Sequence, residues 1–274
     1  MARKKNSKLC VVVIPIHSDC PTAYELISFE QCFKILHQHE IKIIAPLGIN
    51  LDKYRAIISV FDVIFIDPIW QSSIENYNKL KLSSYFYKLF NDFDFLLTYE
   101  LDAFIFKDEV VYWCEKNFDY IGAPWFLGFD QANTNEIIGV GNSGFSLRKI
   151  KTMRKAIRAL YYVETNNSKL STKKRFKDVF KKILFFLKFN RKENGTIQNA
   201  EYFNEDWFIA NVISLQIKNF NIAPIKEAMQ FSFEVQPSYL FLANNYKLPM
   251  GCHAWVKYDL EFWKPHIRRF GYSV

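Results

Sequence analysis

The first hundred residues alternate between short apolar runs and longer amphipathic stretches, and this alternation constrains the fold more than any other feature. Leu9 to Ile16 is a continuous apolar run, typical of a central parallel strand that is covered on both faces. The predicted order is a strand at 9–16, a helix at about 23–39, strands at 41–45 and 63–66, a helix at 73–90, and a strand that carries residues 100 and 102. This order predicts an α/β fold with a mostly parallel, doubly wound sheet and helices on both faces.

Two acidic residues, Glu100 and Asp102, interrupt the apolar run of residues 95–106. Charge among such neighbours is costly unless a cation or strong donors compensate it. Side chains two residues apart on an extended strand point the same way, so both carboxylates would face one divalent metal ion. His17 and Ser18 follow the first strand, and ligands of such sheets bind at the carboxyl ends of the strands. The alternative is an acidic turn between two strands, since the E-x-D pattern is short and common.

Composition and cysteine usage indicate a globular protein of a reducing compartment. Of the 274 residues, 50% are hydrophobic, so a sizeable core can form. The five cysteines are odd in number and have no C-x-x-C spacing, which argues against a disulfide framework. The apolar run after the basic start is only eight residues long and no cleavage site follows it. No segment approaches the roughly 18 apolar residues of a membrane span. We therefore expect a cytoplasmic protein.

The positive charge is concentrated in one segment. The net charge is +8, but residues 149–192 hold 15 Lys or Arg against two acids, or +13, which leaves 21 bases against 26 acids, or −5, elsewhere. Apolar residues follow one helical face among these bases, at Phe176, Val179, Phe180, Ile183, Leu184 and Leu187. The pattern predicts an interfacial helix that docks on an anionic membrane surface, at the inner face of the cytoplasmic membrane. The alternative is an amphipathic helix that packs on the sheet with its lysines solvated.

Five short motifs occur in order along the chain. They are YELDAF at 99–104, DYIGAPW at 119–125, GNSGFSLR at 141–148, NEDWF at 204–208 and PMGCHAW at 249–255. The series resembles the DUF5672 group of bacterial GT-A-type glycosyltransferases found in surface-polysaccharide loci, over roughly residues 9–267. The resemblance implies a single GT-A-like domain over 1–274 with a small acceptor-side subregion. Its nucleotide-binding half would span about 9–107 and its acceptor and catalytic half about 108–267, with a basic amphipathic insertion at about 150–198.

The resemblance also implies a nucleotide-sugar donor, with UDP-sugars first among the candidates, and a Mn²⁺ or Mg²⁺ ion at a D-x-D-like site. Asp102 matches the second acid of that pattern, and Glu100 stands where the first acid would be. His253 matches the late histidine that completes the metal site in many such enzymes, and imidazole beside carboxylates suits either ion. Taken alone, His253 would be interpreted as a packed structural histidine. The expected metal ligands are Asp102, His253 and Glu100.

Residues 204–207 predict the start of a helix, with Asn204 as its N-cap and two acids in its first turn. By analogy with inverting GT-A enzymes, we expect Asp206, in preference to Glu205, to be the general base that deprotonates the acceptor hydroxyl. Helix capping alone is the alternative.

Other residues are expected to contact the donor or the acceptor. The expected donor-binding set is His17, Ser18, Lys79, Glu100, Asp102, Asn142 and Ser143. Asn142 and Ser143 offer hydrogen bonds between two glycines, and Lys79 lies on the helix before the acidic strand. Trp125, Phe126 and Trp255 are candidate platforms for stacking against a sugar.

The expected function is that of a metal-dependent glycosyltransferase. It would move a hexose, with galactose in pyranose or furanose form as the first guess, to a hydroxyl of a surface-glycan or lipid-linked glycan acceptor, with inversion. The alternative enzyme is a nucleotidyltransferase or another enzyme of nucleotide-diphosphate sugars, although the glycine-rich, basic signature of a pyrophosphorylase is missing after the first strand. An anionic-surface or nucleic-acid binding module is an alternative of another class. No nucleic-acid motif supports it, so no nucleic acid is expected as a partner.

Overall fold

A mostly parallel sheet with helices on both faces organises the protein. The structure, a computed structural model, describes residues 8–160 and 204–274, together with residues 179, 180, 183, 184 and 187. The strands are β1 (Lys8–Pro15), β2 (Glu40–Pro46), β3 (Asp62–Ile66), β4 (Phe93–Tyr99), β5 (Phe104–Ile105), β6 (Tyr120–Ile121), β7 (Ala123–Phe126), β8 (Ile137–Gly141), β9 (Phe145–Lys149), β10 (Ser232–Phe233) and β11 (Gly251–Cys252).

The helices before the basic segment are α1 (Ala23–Leu36), α2 (Asp52–Arg55), α3 (Ile74–Lys81), α4 (Ser84–Leu89), α5 (Val110–Lys116) and α6 (Ile150–Ala159). Those after it are α7 (Glu205–Phe208), α8 (Ser214–Gln216), α9 (Ile225–Phe231), α10 (Pro237–Ala243) and α11 (Leu260–Arg268). A π-helical turn, Ile209–Ile213, joins α7 to α8, and short 3₁₀ turns lie at Pro68–Gln71 and Phe129–Gln131.

The central sheet pairs its strands in the order β3-β2-β1-β4-β9-β6. β1 pairs in parallel with β2 and with β4, and β2 pairs in parallel with β3. β9 is antiparallel to both β4 and β6, so it runs against the other strands of the series. The predicted α/β class with a mostly parallel sheet is confirmed.

Side chains of β1 and β4 alternate between two hydrophobic clusters, one on each face of the sheet. Val12 and Leu97 belong to a cluster that includes Phe29 of α1. Val13 and Leu96 belong to the opposite cluster, which includes residues of α3, α4, α6 and α7. Because successive strand residues point to opposite sides and both sides are apolar, helices cover both faces, as predicted.

Two predicted helices have different limits in the structure. The helix expected at about 23–39 is α1, which starts with a capping box between Thr22 and Glu25 and ends at Leu36. The helix expected at 73–90 is interrupted between α3 and α4 by Ser83. The Ser83 hydroxyl accepts the Phe86 amide at 3.0 Å and donates to a backbone carbonyl at 2.7 Å. A hydroxyl that satisfies free backbone groups lets one helix end and the next begin, which apolar spacing alone does not report.

The acidic pair lies in a turn instead of on a strand. β4 ends at Tyr99, and β5 begins at Phe104 in a different sheet. The Glu100 amide donates to the Gly144 carbonyl at 2.8 Å, and the Ala103 amide donates to the Glu100 carbonyl at 2.9 Å, which closes the turn. The two carboxylates therefore follow the carboxyl end of β4.

A smaller subregion is built on the second sheet, in the order β10-β11-β5. β11 pairs in parallel with β10 and antiparallel with β5. This small sheet shares a third hydrophobic cluster with α10 and α11, which includes the buried residues Phe233, Leu240, Trp255 and Trp263. β7 and β8 form a separate antiparallel hairpin that leads into the GNSGFSLR motif. The small sheet places the late motif beside the turn after β4.

The basic segment begins inside the core and continues outside the described residues. α6 packs in the second hydrophobic cluster through Met153 and Ile157, so the first residues of the predicted insertion at about 150–198 belong to the core. The amphipathic helix predicted from Phe176 lies mostly outside the described residues. Its described apolar positions are Val179, Phe180, Ile183, Leu184 and Leu187. Four of them are 48–62% exposed, namely Val179, Phe180, Ile183 and Leu187. Membrane docking therefore stays a prediction. Within the described parts of the chain, no helix is long and apolar enough to cross a membrane.

Candidate active site

Three connecting segments meet at the carboxyl end of β4. The turn after β4 carries Glu100 and Asp102, the β8–β9 loop carries residues 142–144, and His253 directly follows β11. Besides the bond from Glu100 to the β8–β9 loop, the Trp255 amide donates to the Asp102 carbonyl at 3.3 Å. Motifs that are far apart in the chain thereby form one site.

His253 faces both acids through its Nε2 atom. Nε2 lies 3.0 Å from Asp102 Oδ1 and 3.7 Å from Glu100 Oε2. One ligand atom from each of the three residues lies within 4.8 Å of the other two. The Asp102 side chain is 46% exposed whereas that of His253 is 13% exposed, so the cluster opens to solvent at Asp102. The three residues predicted as metal ligands therefore lie together.

The two ring nitrogens of His253 have different surroundings. Nδ1 lies 2.7 Å from Glu234 Oε1, whereas the buried Nε2 makes no hydrogen bond of normal geometry within the described part of the chain. Burial lowers the pKa of His253, but Asp102, Glu100 and Glu234 together raise it well above its ordinary value. Metal-binding histidines commonly donate from one nitrogen to a carboxylate and bind through the other. An imidazole with two carboxylates is a donor set that fits Mn²⁺ or Mg²⁺.

His253 can approach the acids because residue 144 has no side chain. A Cβ atom at Gly144 would lie 2.0 Å from His253 Nε2 and 3.0 Å from Glu100 Oε2. The first distance is far shorter than any real contact of a Cβ atom, so an alanine here would displace the imidazole. Gly144 therefore keeps open the space that the cluster needs.

Lys81 occupies the other side of Glu100. Its fully buried ammonium group contacts Glu100 Oε1 and donates to Ser143 Oγ at 2.6 Å. The Tyr77 hydroxyl donates to the same Glu100 oxygen at 3.0 Å. Burial raises the pKa of Glu100, but Lys81 and His253 hold it well below its ordinary value. Glu100 is thus an anion whose Oε1 is bound by Lys81 and whose Oε2 faces His253.

The same lysine connects the acidic turn to α7. Lys81 Nζ lies 3.5 Å from Glu205 Oε1, and Arg148 Nη2 lies 2.6 Å from that oxygen. All three side chains are fully buried. The Ser143 hydroxyl also donates to Glu205 Oε1, at 3.2 Å. Glu205 therefore lies in the protein interior, bound by two cations.

Asp206, the next residue, is only partly buried. Its Oδ1 accepts the backbone amide of Trp207 at 2.7 Å. Burial, together with the nearby Glu205 carboxylate, raises the pKa of Asp206 to about 7. A carboxyl group with a pKa near neutrality can accept a proton at physiological pH. Two acids that are adjacent in sequence thus have different environments and can have different roles.

The charges around the site leave an excess of negative charge. Lys81 and Arg148 offset Glu100 and Glu205. Asp102 and Glu234 form ion pairs with His253 but with no lysine or arginine of the described ranges. The raised pKa of His253 favours its protonated form, which offsets one of these two carboxylates. A negative charge therefore remains, and a divalent cation that displaced the imidazole proton would balance both carboxylates.

The other predicted donor-binding residues lie in and beside this cluster. Asn142 and Ser143 belong to it, and Asn142 Nδ2 lies 3.2 Å from His253 Nδ1. His17 and Ser18 follow β1, the strand next to β4, and lie at the same edge of the sheet. Ser18 Oγ accepts the Cys20 amide at 3.1 Å, and His17 is exposed. Lys79 lies on α3, two residues before Lys81, and is partly buried.

Two of the three candidate sugar-stacking residues belong to the core. The Trp255 ring is fully buried, and its indole N–H donates to Ser28 Oγ at 3.1 Å. Phe126 is also fully buried and packs edge-on against Tyr239. The stacking prediction is wrong for both, because their apolar surface completes the third hydrophobic cluster. Trp125 is half-buried and remains a candidate.

No role was predicted from the sequence for Lys81, Arg148 or Glu234. Lys81 lies on an amphipathic helix, where a lysine is normally solvated. Arg148 stands within the GNSGFSLR motif on a buried strand, and a charge among apolar neighbours was the available signal. Glu234 follows a strand of two residues, which leaves no periodic pattern from which its position could be read.

The protein is an α/β protein with a mostly parallel, doubly wound sheet, and its cluster of two acids and a histidine lies at the carboxyl end of the central strand β4. Within that class, the chain belongs to the DUF5672 family, described as a protein of unknown function, whose profile matches residues 60–253. No curated protein sequence matches the chain.

Solved structures with a similar overall fold include three glycosyltransferases. The galactosyltransferase LgtC, in complex with donor and acceptor sugar analogues, is 17% identical over 95% of this chain and 94% of its own, with a TM-score of 0.48. Mouse xyloside xylosyltransferase 1 is 8% identical over 90% of this chain and 97% of its own, with a TM-score of 0.47. GlyE of Streptococcus pneumoniae TIGR4 is 13% identical over 96% of this chain and 60% of its own, with a TM-score of 0.44. Similarity at this level carries no argument about activity, which rests on the site itself.

Proposed function

We propose that this protein is a metal-dependent glycosyltransferase that moves a hexose from a nucleotide sugar to an acceptor hydroxyl with inversion. One observation carries the proposal. Glu100, Asp102 and His253 converge at the carboxyl end of β4, where ligands of such sheets bind.

Asp102, His253 and Glu100 would hold the cation, Mn²⁺ or Mg²⁺. When bound, the cation offsets the charge that grows on a departing diphosphate. Lys81 and Tyr77 bind Glu100 Oε1, so Oε2 is the oxygen of Glu100 that would face the ion.

Asp206 would accept the proton of the acceptor hydroxyl as that oxygen attacks the anomeric carbon. Its pKa of about 7 suits this task, since the carboxylate and its conjugate acid are both populated near neutral pH. Glu205, which is fully buried and bound by Arg148, would instead anchor the helix.

The donor would lie along the edge formed by the ends of β1 and β4. His17, Ser18, Lys79, Asn142 and Ser143 are the proposed contacts to the nucleotide and sugar, with residues 9–107 as the nucleotide-binding half. We take a UDP-sugar as the donor, galactose as the first sugar to test, and a surface glycan, free or lipid-linked, as the acceptor. The basic segment would hold the cytoplasmic protein against the inner face of the membrane.

Calorimetric titration of UDP, with Mn²⁺ present or removed by EDTA, tests the proposal. We expect UDP to bind with Mn²⁺ and to bind at least about a hundredfold more weakly to Asp102→Asn, because losing a ligand should cost more than the ~10–100-fold of outer-shell changes. Asp62→Asn is the matched control, since Asp62 begins β3 at the opposite end of the strands.

The reaction is then followed by product analysis with UDP-sugars and glycan acceptors. Release of UDP with a new glycosidic bond of inverted configuration supports the proposal. Metal-independent UDP binding, a retained configuration, or formation of a nucleotide sugar from nucleoside triphosphate and sugar phosphate would each overturn it.

A further inference from the structure

Glu234 and His253 stand side by side because of the register of the small sheet. β10 and β11 pair in parallel, with Phe233 opposite Cys252, and Glu234 and His253 are the first residues after the two strands. The His253 amide donates to the Phe233 carbonyl at 2.9 Å, which fixes the backbone there. The Glu234 carboxylate therefore reaches His253 Nδ1, at 2.7 Å.

We propose that Glu234 is a positioning residue that holds His253 in the tautomer and ring orientation required for binding a divalent cation through Nε2. The inference rests on the metal site of the proposed function. A proton on Nδ1, donated to Glu234, leaves the lone pair of Nε2 directed at Asp102 and Glu100.

Glu234 is the group suited to accept this hydrogen bond. Asn142 also approaches Nδ1, but its Oδ1 already accepts the Phe145 amide at 2.6 Å, which leaves its NH₂ group toward the imidazole. An NH₂ group cannot accept a proton from Nδ1. The Glu234 side chain is 16% exposed and forms no ion pair with a lysine or arginine in the part of the chain that the structure describes. Within the described residues, His253 is therefore the ion-pair partner of the Glu234 carboxylate.

Glu234 cannot itself replace one of the metal ligands while it holds this bond. The two ring nitrogens of an imidazole point away from each other, and Glu234 lies on the Nδ1 side, whereas Asp102 and Glu100 lie on the Nε2 side. The carboxylate thus acts on the cation through the histidine.

The test measures Mn²⁺ binding without nucleotide, by electron paramagnetic resonance of the free ion. We expect Glu234→Ala to bind Mn²⁺ about 10–100-fold more weakly than the wild type, the usual effect of removing an outer-shell carboxylate. Glu234→Gln should lose less, because its amide oxygen still accepts from Nδ1 although the charge is gone. Glu227→Gln is the matched control, since Glu227 pairs with Lys116 on the surface helices α5 and α9.

Thermal unfolding in EDTA shows whether each variant folds, and Glu234→Gln keeps the test valid should Glu234→Ala fail to fold. Wild-type Mn²⁺ affinity in a folded Glu234 variant, alongside loss of binding in Asp102→Asn, would overturn the role of Glu234 and leave the proposed function standing. Failure of the wild type itself to bind Mn²⁺, or normal binding by Asp102→Asn, would overturn both.

Discussion

Gly144 shows how a single Cβ position controls the candidate metal site. The imidazole of His253 occupies the space where any side chain at residue 144 would begin. The Gly144 carbonyl also accepts the Glu100 amide at 2.8 Å, so the same residue holds the acidic turn in place. The glycine is therefore required by close packing and not by a positive φ angle.

Gly144→Ala should abolish high-affinity Mn²⁺ binding, because its Cβ would lie 2.0 Å from His253 Nε2. Gly139→Ala is the matched control on the preceding strand, where a Cβ would meet only Trp125, at an ordinary 3.6 Å. Calorimetry with Mn²⁺ measures the effect, and circular dichroism checks that both variants fold. Equal Mn²⁺ affinity in the two variants would contradict this account of the site.

At the scale of elements, α7 is a short helix whose position depends on buried charge. Glu205 binds Arg148 of β9 and lies 3.5 Å from Lys81 of α3, and its amide donates to Asn78 Oδ1 at 3.2 Å. Removing one partner of a buried ion pair typically costs about 3–5 kcal/mol, because the other charge is left uncompensated. The π-helical turn that follows α7 is a feature frequently found near functional sites. The Ser143 hydroxyl also joins α7 to the β8–β9 loop through Glu205, and Asp206 is the next residue of the helix.

The two acids of α7 should respond differently to substitution. Asp206→Asn should lower kcat by about 10²–10⁴-fold, with little change in donor affinity, because a general base acts in the transition state. Wild-type kcat should rise with pH through about 7, as Asp206 loses its proton, and the residual activity of the variant should lack this rise. Steady-state kinetics across pH measures both.

Thermal stability should also distinguish Glu205 from Asp206. Glu205→Gln should unfold at a lower temperature, because Arg148 and Lys81 would keep uncompensated charge. The pKa of Asp206 is raised on folding from 3.8 to about 7, so its contribution to stability falls as pH rises between these values. Asp206→Asn should therefore be at least as stable as the wild type at pH 8. If the Glu205→Gln variant folded and lost the pH dependence of kcat while Asp206→Asn kept it, Glu205 would be the base.

On the scale of the whole molecule, the candidate site joins two sheets. Glu100 follows β4 of the central sheet, and His253 follows β11 of the small sheet. A cation bound by both would link the two parts of the protein. A ligand that binds only the folded state stabilises it by about 2.7 kcal/mol when present at 100 times its Kd.

Mn²⁺ should therefore raise the Tm of the wild type by several degrees, and EDTA should reverse the shift. His253→Ala should show no such shift, since it removes the ligand supplied by the small sheet. Differential scanning fluorimetry measures the Tm, with Ca²⁺ as a comparison ion. A shift of the same size in His253→Ala would place the ion elsewhere.

Much of this architecture was predictable, since burial on both faces leaves a clear pattern in β1 and alternating apolar faces in the helices. The order of elements followed from apolar periodicity, and the pairing of Glu100 with Asp102 from their spacing at a strand end. The proximity of His253 to them was expected from the resemblance to the DUF5672 family. The break between α3 and α4 at Ser83 was not predictable, because it depends on the hydrogen bonds of a single side-chain hydroxyl. The contact between Glu234 and His253 was not predictable either. It depends on the pairing register of β10 and β11, and strands of two residues leave no periodic pattern in the sequence.

β3 lies at the outer edge of the central sheet, and its Phe65 is 48% exposed. Such an edge offers unpaired backbone groups to a second chain. The strand is short, Asp62 at its start pairs with Lys42 at 2.5 Å, and Pro68 follows its end. Charged side chains and prolines at an edge strand discourage its pairing with a strand of another molecule. These few residues therefore favour solubility of the folded protein, a property independent of its chemistry.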